Sequence, residues 1–310
     1  MDIAIGIPTY NGAQRLDWLL TSLSMRTPEL AAGTAVIVVV DDGSPRVAET
    51  RGIVSKWKST LPIVYVEHGT NKGIPSAWNT CSRAVDATYV TLLNDDVIVS
   101  GAKGGWLAPV IHPLRTGPNV GGVGVNWHAF LPEDVPQLLA SRASDLEVVP
   151  REPVSKQPNP GRRDLEGCNP GRVMCPTGQL FAFRRSDFDR LNGFDERFTS
   201  FYEESDFGTA MASIGKIGVQ LNWPQCYHLW SATFAANPEL NAGGRIAASR
   251  ELYRRKWNVP GGVHEFEYTN PKYMGAIGDV EFEWLRNDGS VERGKLRTDG
   301  AYIKISGGLT

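Results

Sequence analysis

Through its first hundred residues the chain alternates short apolar runs with amphipathic stretches. Residues 3–7 (IAIGI) form a strand-length apolar run, closed by the turn Pro8-Thr9-Tyr10-Asn11-Gly12. Leu16, Leu19, Leu20 and Leu23 follow at helical spacing. A second run, AVIVVV at 35–40, is apolar at every position, as a strand covered on both faces requires. It ends in Asp41-Asp42-Gly43-Ser44, ahead of a further helix. PIVYV at 62–66 predicts a third strand, Ser76–Val85 a helix, and TYVTLL at 88–93 a fourth strand that stops at Asn94-Asp95-Asp96. Strand, helix, strand in this order means right-handed crossovers and an α/β fold with a mostly parallel sheet.

The periodicity fails from 129 to 175, a stretch rich in Pro, Arg, Asn and Gly that reads as a loop-rich insertion. Arg151, Arg162, Arg163 and Arg172 make it a candidate to close over a diphosphate or an acceptor. Order returns with a strand at Gly178–Phe183, a helix from Ser186, a strand at Gly218–Asn222 followed by His228, and a basic helix over 244–256. After Pro260-Gly261-Gly262 the composition shifts: residues 280–286 alternate, Asn287-Asp288-Gly289 is a hairpin-type turn, and Ala301–Ile305 alternates again. The expected organisation is a main domain over 1–262 and a small β-rich C-terminal extension over 263–310, a candidate for self-association or acceptor choice.

At 310 residues the chain can bury one sizeable core, and 41% hydrophobic with 21% charged residues suit a globular enzyme. A net charge of −2 argues against a broad nucleic-acid-binding surface but leaves room for a local basic pocket. The four cysteines are too scattered for a disulfide scaffold, and Cys168 and Cys175 read as reduced structural thiols. No apolar run approaches the roughly 20 residues of a membrane span, and the amino terminus enters a strand without a signal-peptide pattern, so a soluble, cytoplasmic protein is expected.

Three polar clusters, Thr9-Tyr10-Asn11, Asp41-Asp42 and Asn94-Asp95-Asp96, lie just past the carboxyl ends of three predicted strands. In an open α/β sheet that edge binds ligands, so the clusters converge on one cleft. Adjacent carboxylates at a strand end suit Mg²⁺ or Mn²⁺, which take oxygen ligands and hold phosphate oxygens; a solvated turn is the plainer reading. In Phe201-Tyr202-Glu203-Glu204-Ser205-Asp206-Phe207, carboxylates beside aromatic rings have the raised pKa of a general base. A helix amino terminus collecting acids explains Glu203 or Asp206 equally well.

Together these pieces resemble a family. IPTYN at 7–11, DDGS at 41–44, NKG at 71–73, NDD at 94–96 and the run from Gly178 to Phe207 look like the successive motifs of family 2 glycosyltransferases. His228, with Ser231 after it, and LYRRKW at 252–257 fit the end of that pattern. The resemblance implies the GT-A fold, a mostly parallel central sheet with helices on both faces, and a nucleotide-diphosphate-sugar donor. It places Pro8, Thr9 and Tyr10 along the base pocket and Asp42 as acceptor of a hydrogen bond from the base. Asn71 and Gly73 shape the nucleotide site. Asp96 is the direct metal ligand, with Asn94 in place of the usual first acid and Asp95 near the ribose or metal. Glu204 falls at the catalytic base of inverting members, His228 at a further ligand for Mn²⁺ or Mg²⁺, and Gly178, Glu203 and Asp206 on the sugar side.

The acceptor, whether glycan, protein or small molecule, is not written in the chain. A binding protein that kept the fold without catalysis is the alternative, against which the acidic clusters speak. A nucleotidyltransferase would open with a Gly-rich basic loop, and residues 8–16 supply one Gly and one Arg. An NAD-dependent dehydrogenase would show G-x-G-x-x-G after the first strand.

Overall fold

The computed structural model describes residues 1–99, 105–140, 170–229, 232–259, 277–286 and 288–305. The first half runs β1 (Ile3–Thr9), α1 (Ala13–Arg26), α2 (Pro28–Ala31), β2 (Ala35–Asp41), α3 (Val47–Trp57), β3 (Ile63–Glu67), α4 (Ile74–Arg83) and β4 (Tyr89–Leu93). Then follow β5 (Val97–Val99), α5 (Leu107–Thr116), β6 (Val120–Ala129), α6 (Val135–Ala140), β7 (Gly171–Val173), β8 (Leu180–Arg184) and α7 (Arg185–Arg190). The remainder is α8 (Glu203–Ser213), β9 (Ile217–His228), α9 (Ala232–Ala236), α10 (Ala242–Trp257) and the strands β10 (Val280–Leu285), β11 (Val291–Leu296) and β12 (Tyr302–Lys304).

Nine strands form one sheet in the order β3-β2-β1-β4-β8-β6-β9-β5, with β7 also paired to β9. The first four are parallel, as the early strand–helix alternation requires. Beyond them β8 runs antiparallel between β4 and β6, and β6 is parallel to β9. The carboxyl ends of β1, β2, β4, β6 and β9 therefore share one edge.

Successive residues of β1 and β2 feed opposite faces. Ile3, Ile5, Ile7, Ile37 and Val39 pack with Leu16, Leu19, Leu20 and Leu23 of α1. Ala4, Val38 and Val40 join Trp78 and Cys81 of α4 with Phe181, Phe183, Phe188, Phe194 and Phe207. Gly6 lets α4 approach: a Cβ there would lie 2.6 Å from Cys81 Cβ.

Within 129–175 the described residues hold short elements: β6 continues to Ala129, α6 buries Val135 and Leu138, and β7 adds an edge strand. Two expectations change. Arg151, Arg162, Arg163 and Cys168 lie outside the described residues, as does Ser231, while Arg172 is buried and donates to Ile277 O at 2.7 Å and Gly278 O at 3.0 Å. It anchors the tail rather than reaching for a ligand. His228 does not follow a short strand; β9 is one 12-residue strand that ends on it.

The strands β10, β11 and β12 form a separate antiparallel sheet around the 288–289 turn, Asn287 itself lying outside the described residues. Val280, Phe282, Trp284 and Leu296 join the core cluster that contains α5. Thr116 Oγ1 takes a hydrogen bond from Glu283 N at 2.9 Å and donates to Glu283 O at 3.2 Å. Glu292, 5% exposed, accepts from Tyr302, Arg286 and Lys304; burial alone would raise its carboxyl, and these partners outweigh it. Among the described residues no helix is long and apolar enough to cross a membrane.

Candidate active site

At the shared edge, β1 delivers Thr9 and Tyr10, β2 delivers Asp41 and Asp42, β4 delivers Asn94-Asp95-Asp96, and β9 delivers His228. Pro8 is buried inside β1, opposite Val40, and Tyr10 is half-exposed just past the strand. Asp42 is 5% exposed and heavily engaged: it accepts from His68 Nδ1 at 2.7 Å, Lys72 N at 3.0 Å and Gly73 N at 2.9 Å. The expected base acceptor is thus also the clamp that fastens the 68–73 segment to β2. Burial raises its carboxyl, and those hydrogen bonds oppose the rise. Gly43, at φ +75°, makes room for the segment, since a Cβ would come 2.5 Å from Asn71 N. Gly73, at φ +90°, lies against Thr199, whose carbonyl accepts from Ile74 N at 3.1 Å. Asn71 is half-buried between them.

In the acidic turn the two carboxylates have different surroundings. Asp95, 4% exposed, accepts from Thr9 Oγ1 at 2.6 Å and from the Arg15 guanidinium at 3.1 and 3.3 Å. Burial disfavours the Arg15 charge, but the Asp95 carboxylate holds the guanidinium above its ordinary value. Asp96 faces His228, with Oδ1 3.0 Å from Nε2 in an approach not aligned as a hydrogen bond. Asp96 Oδ1 and His228 Nδ1 are both buried without a hydrogen-bond partner. The Asp96 carboxylate suits Mn²⁺ or Mg²⁺, and Nε2 of His228 is the imidazole nitrogen beside it. Among the described residues no group of three or more such side chains converges on one point, so the remaining ligands would be phosphate oxygens and water. The Trp127 ring meets His228 edge-on, centroids 5.0 Å apart, and fixes the imidazole from the β6 side.

Glu204 belongs to the same edge. Asn94 N donates to Gln179 O at 3.0 Å, which joins the acidic turn to the start of β8. At the neighbouring Gly178 a Cβ would lie 3.4 Å from Glu204 Oε1. Two consecutive left-handed residues, Phe201 at φ 67° and Tyr202 at φ 65°, turn the chain into α8 and put Glu203 and Glu204 on its first turn. Oε2 of each is buried without a partner. Burial pushes the Glu204 carboxyl up, and pushes Glu203 well above the carboxylate range with the Glu204 charge as a further cause. A small apolar pocket walled by Met174, Cys175, Pro176, Phe181, Phe207 and Met211 lies beside it. Cys175 Sγ donates to Glu204 O at 2.7 Å, a buried thiol among the free cysteines.

Asp206 is placed differently. Its oxygens accept from Lys256 Nζ at 2.8 Å and Trp257 Nε1 at 2.7 Å, so it braces α8 against α10. It lines a polar cleft with Asn79, Arg83, Asp195, Glu196 and Lys256, beside the second half of α4.

The pattern of the sequence passed over several side chains that build the edge. Arg15, His68 and Asn126-Trp127 belong to none of the motifs described above. Gln220, Thr177, Gln179 and Asn126 form a buried amide ladder from β9 to the Gly178 turn. The signal for Arg15 is T-x-x-G-x-x-R across β1 and α1, facing two acids at the end of β4.

The model of the family described as "Glycosyl transferase family 2" matches residues 4–191. A curated relative, an N-acetylglucosaminyltransferase of Azorhizobium caulinodans, is 24% identical over 210 residues, covering 65% of this chain and 47% of the relative. The chain thus spans about half the length of that relative. Among solved structures, a mannosyltransferase, PcManGT from Pyrobaculum calidifontis, in complex with GDP-Man and Mn²⁺, is similar at a TM-score of 0.57 and 19% identity, over 86% of this chain and 66% of that one. TarS 1–349 of S. aureus in complex with UDP-GlcNAc matches at a TM-score of 0.54 and 16% identity, over 83% and 73%. At such identities the likeness is one of fold.

Proposed function

Because the chain belongs to glycosyl transferase family 2, we propose that it moves a sugar from a nucleotide-diphosphate-sugar to an acceptor hydroxyl in a single inverting displacement. The observation that carries this reading is the Glu204 carboxyl, whose Oε2 is buried without a hydrogen-bond partner, beside the Gly178 turn that one hydrogen bond joins to Asn94-Asp95-Asp96. In this reading Thr9, Tyr10 and the clamp made by Asp42 floor the nucleotide pocket, and Asn71 and Gly73 shape its wall. Asp96 and His228 would hold a divalent cation, Mn²⁺ or Mg²⁺, which when bound would supply electrostatic stabilisation of the leaving diphosphate.

Glu204 accepts the proton of the acceptor hydroxyl while that oxygen bonds to the anomeric carbon. The bond to the donor oxygen breaks on the opposite face, and its electron pair leaves with the diphosphate. A base is useful when its pKa lies near the working pH, and burial moves Glu204 in that direction. Glu203 and Gly178 flank it on the sugar side.

Two measurements test the reading. The first is a thermal-shift screen of UDP-, GDP- and dTDP-sugars with Mn²⁺ or Mg²⁺; a matching donor at 100 Kd adds about 2.7 kcal/mol to the native state. The second is NMR of the product anomer. A shift with one donor and an inverted product support it; no shift with any donor together with no nucleotide-sugar hydrolysis would sink it.

A further inference from the structure

We infer that Arg15 is an internal counter-ion that withdraws Asp95 from metal contact and leaves Asp96 as the cation-facing carboxylate of the acidic turn. This rests on the proposed function, because it divides the labour within the same donor site.

Arg15 is 9% exposed and lies on the first turn of α1. Its Nε donates to Asp95 Oδ1 at 3.1 Å and its Nη2 to Oδ2 at 3.3 Å, a two-pronged guanidinium–carboxylate pair. Thr9 Oγ1 adds a third donor to Oδ2 at 2.6 Å. A cation seeking Asp95 would have to displace a buried positive charge and these hydrogen bonds. Asp96, one residue on, has Oδ1 without a donor and an imidazole 3.0 Å away. The pair Arg15–Asp95 is neutral, so the acidic turn presents one net negative charge from its two acids.

The cradle is built to hold this arrangement. A Cβ at Gly12 would fall 1.8 Å from Asp95 Oδ2 and 2.7 Å from Arg15 Nη2, so no larger residue fits without moving the pair. Nη2 also reaches Thr233 Oγ1 at 3.2 Å, on the helix that follows His228 in the chain. Close by, Asn11 Nδ2 donates to Asn237 Oδ1 at 2.9 Å. One guanidinium thus fixes both the carboxylate beside Asp96 and the chain beyond His228, which makes Arg15 a positioning residue.

The test compares Asp95→Asn, Asp96→Asn, Arg15→Met and the double variant Arg15→Met/Asp95→Asn. Mn²⁺ binding is followed by electron paramagnetic resonance, with UDP and GDP as nucleotide probes, and each melting temperature is recorded. Asp95→Asn is expected to hold Mn²⁺ within about twofold of wild type, and Asp96→Asn to lose about tenfold or more. Arg15→Met leaves Asp95 with Thr9 as donor but without its counter-ion: its melting temperature falls, and it binds Mn²⁺ more tightly than wild type without nucleotide. The double variant regains most of the melting temperature and returns to wild-type Mn²⁺ affinity. Equal losses for Asp95→Asn and Asp96→Asn would overturn the proposal, as would a double variant no more stable than Arg15→Met. Should Arg15→Met fail to fold, the two aspartate variants decide alone. Wild type that binds neither nucleotide with Mn²⁺ would count against the glycosyltransferase reading, while recovery of stability in the double variant would still report the counter-ion pair.

Discussion

At the scale of single residues, Glu203 and Glu204 are adjacent and each has one buried oxygen without a hydrogen-bond partner, yet they answer different questions. Glu204→Gln removes the proposed base without changing shape, and transfer is expected to fall by about 10²–10⁴-fold with donor binding retained. Steady-state kinetics beside a donor thermal shift checks this, and near wild-type turnover would move the base elsewhere. Because burial raises its carboxyl, the acidic limb of kcat against pH should fall above the ordinary glutamate value of about 4.3. Glu203→Gln bears on stability. The folded state holds the Glu203 proton more tightly than the unfolded chain, so the stability tied to it is complete below about pH 4.3 and is lost as pH rises through the higher folded value. The variant should therefore melt above wild type at pH 7.5 and with it at pH 4; a gain of equal size at both pH values would show that ionisation is not the cause. Asp96, His228 and Glu204 are singled out by the resemblance to family 2 glycosyltransferases, since strand ends and neighbouring aromatics alone leave a solvated turn, a structural histidine or a helix amino terminus equally open. Asp206 could not be separated from them, since what engages it is Lys256 and Trp257, fifty residues away.

At the scale of elements, the legible parts are those whose pattern and environment agree. β1 and β2 are apolar throughout and buried throughout, and α1 carries its leucines on the face that packs. β6 carries a weak strand signal because Gly121, Gly122 and Gly124 lower its strand propensity. Those glycines have a packing reason: a Cβ at 122 or 124 would meet Pro176 at 3.2 or 2.7 Å, and one at 121 would meet Lys216. The turn into α8 was equally silent, for two aromatic residues in left-handed backbone cost about 1–2 kcal/mol each. Here Phe201 stacks on Phe234 at 5.1 Å and Tyr202 contacts Tyr253 at 5.5 Å, which offsets part of that strain. Replacing Tyr202 by Ala removes the ring and keeps the strain, whereas Gly removes both. Tyr202→Gly should therefore be more stable than Tyr202→Ala by about 1 kcal/mol, against the usual order. Denaturant midpoints decide it, and the ordinary order, Ala above Gly, would mean the turn relaxes when the ring is gone.

At the scale of the whole molecule, the sheet and the C-terminal strands share apolar surface. The alternation of 280–286 announces a strand, but nothing local says that Phe282 and Trp284 will pack with α5, which lies more than 160 residues earlier. Trp284 is 2% exposed, and Trp284→Ala should cost about 3–5 kcal/mol. If residues 277–305 belong to one cooperative unit with the sheet, the loss lowers a single melting transition; a separate early transition, with the donor-stabilised one unmoved, would make the strands an independent appendage. The same packing sets a condition on biosynthesis. A ribosome adds residues from the amino terminus, and the parallel half of the sheet is available early. The surface of α5 that β10 will cover stays open until residue 296 has left the ribosome, and the Arg172 guanidinium waits for the carbonyls of 277 and 278. The nascent chain therefore carries an uncovered apolar flank from the synthesis of α5 until β10 and β11 emerge, the interval in which a chaperone has most to do.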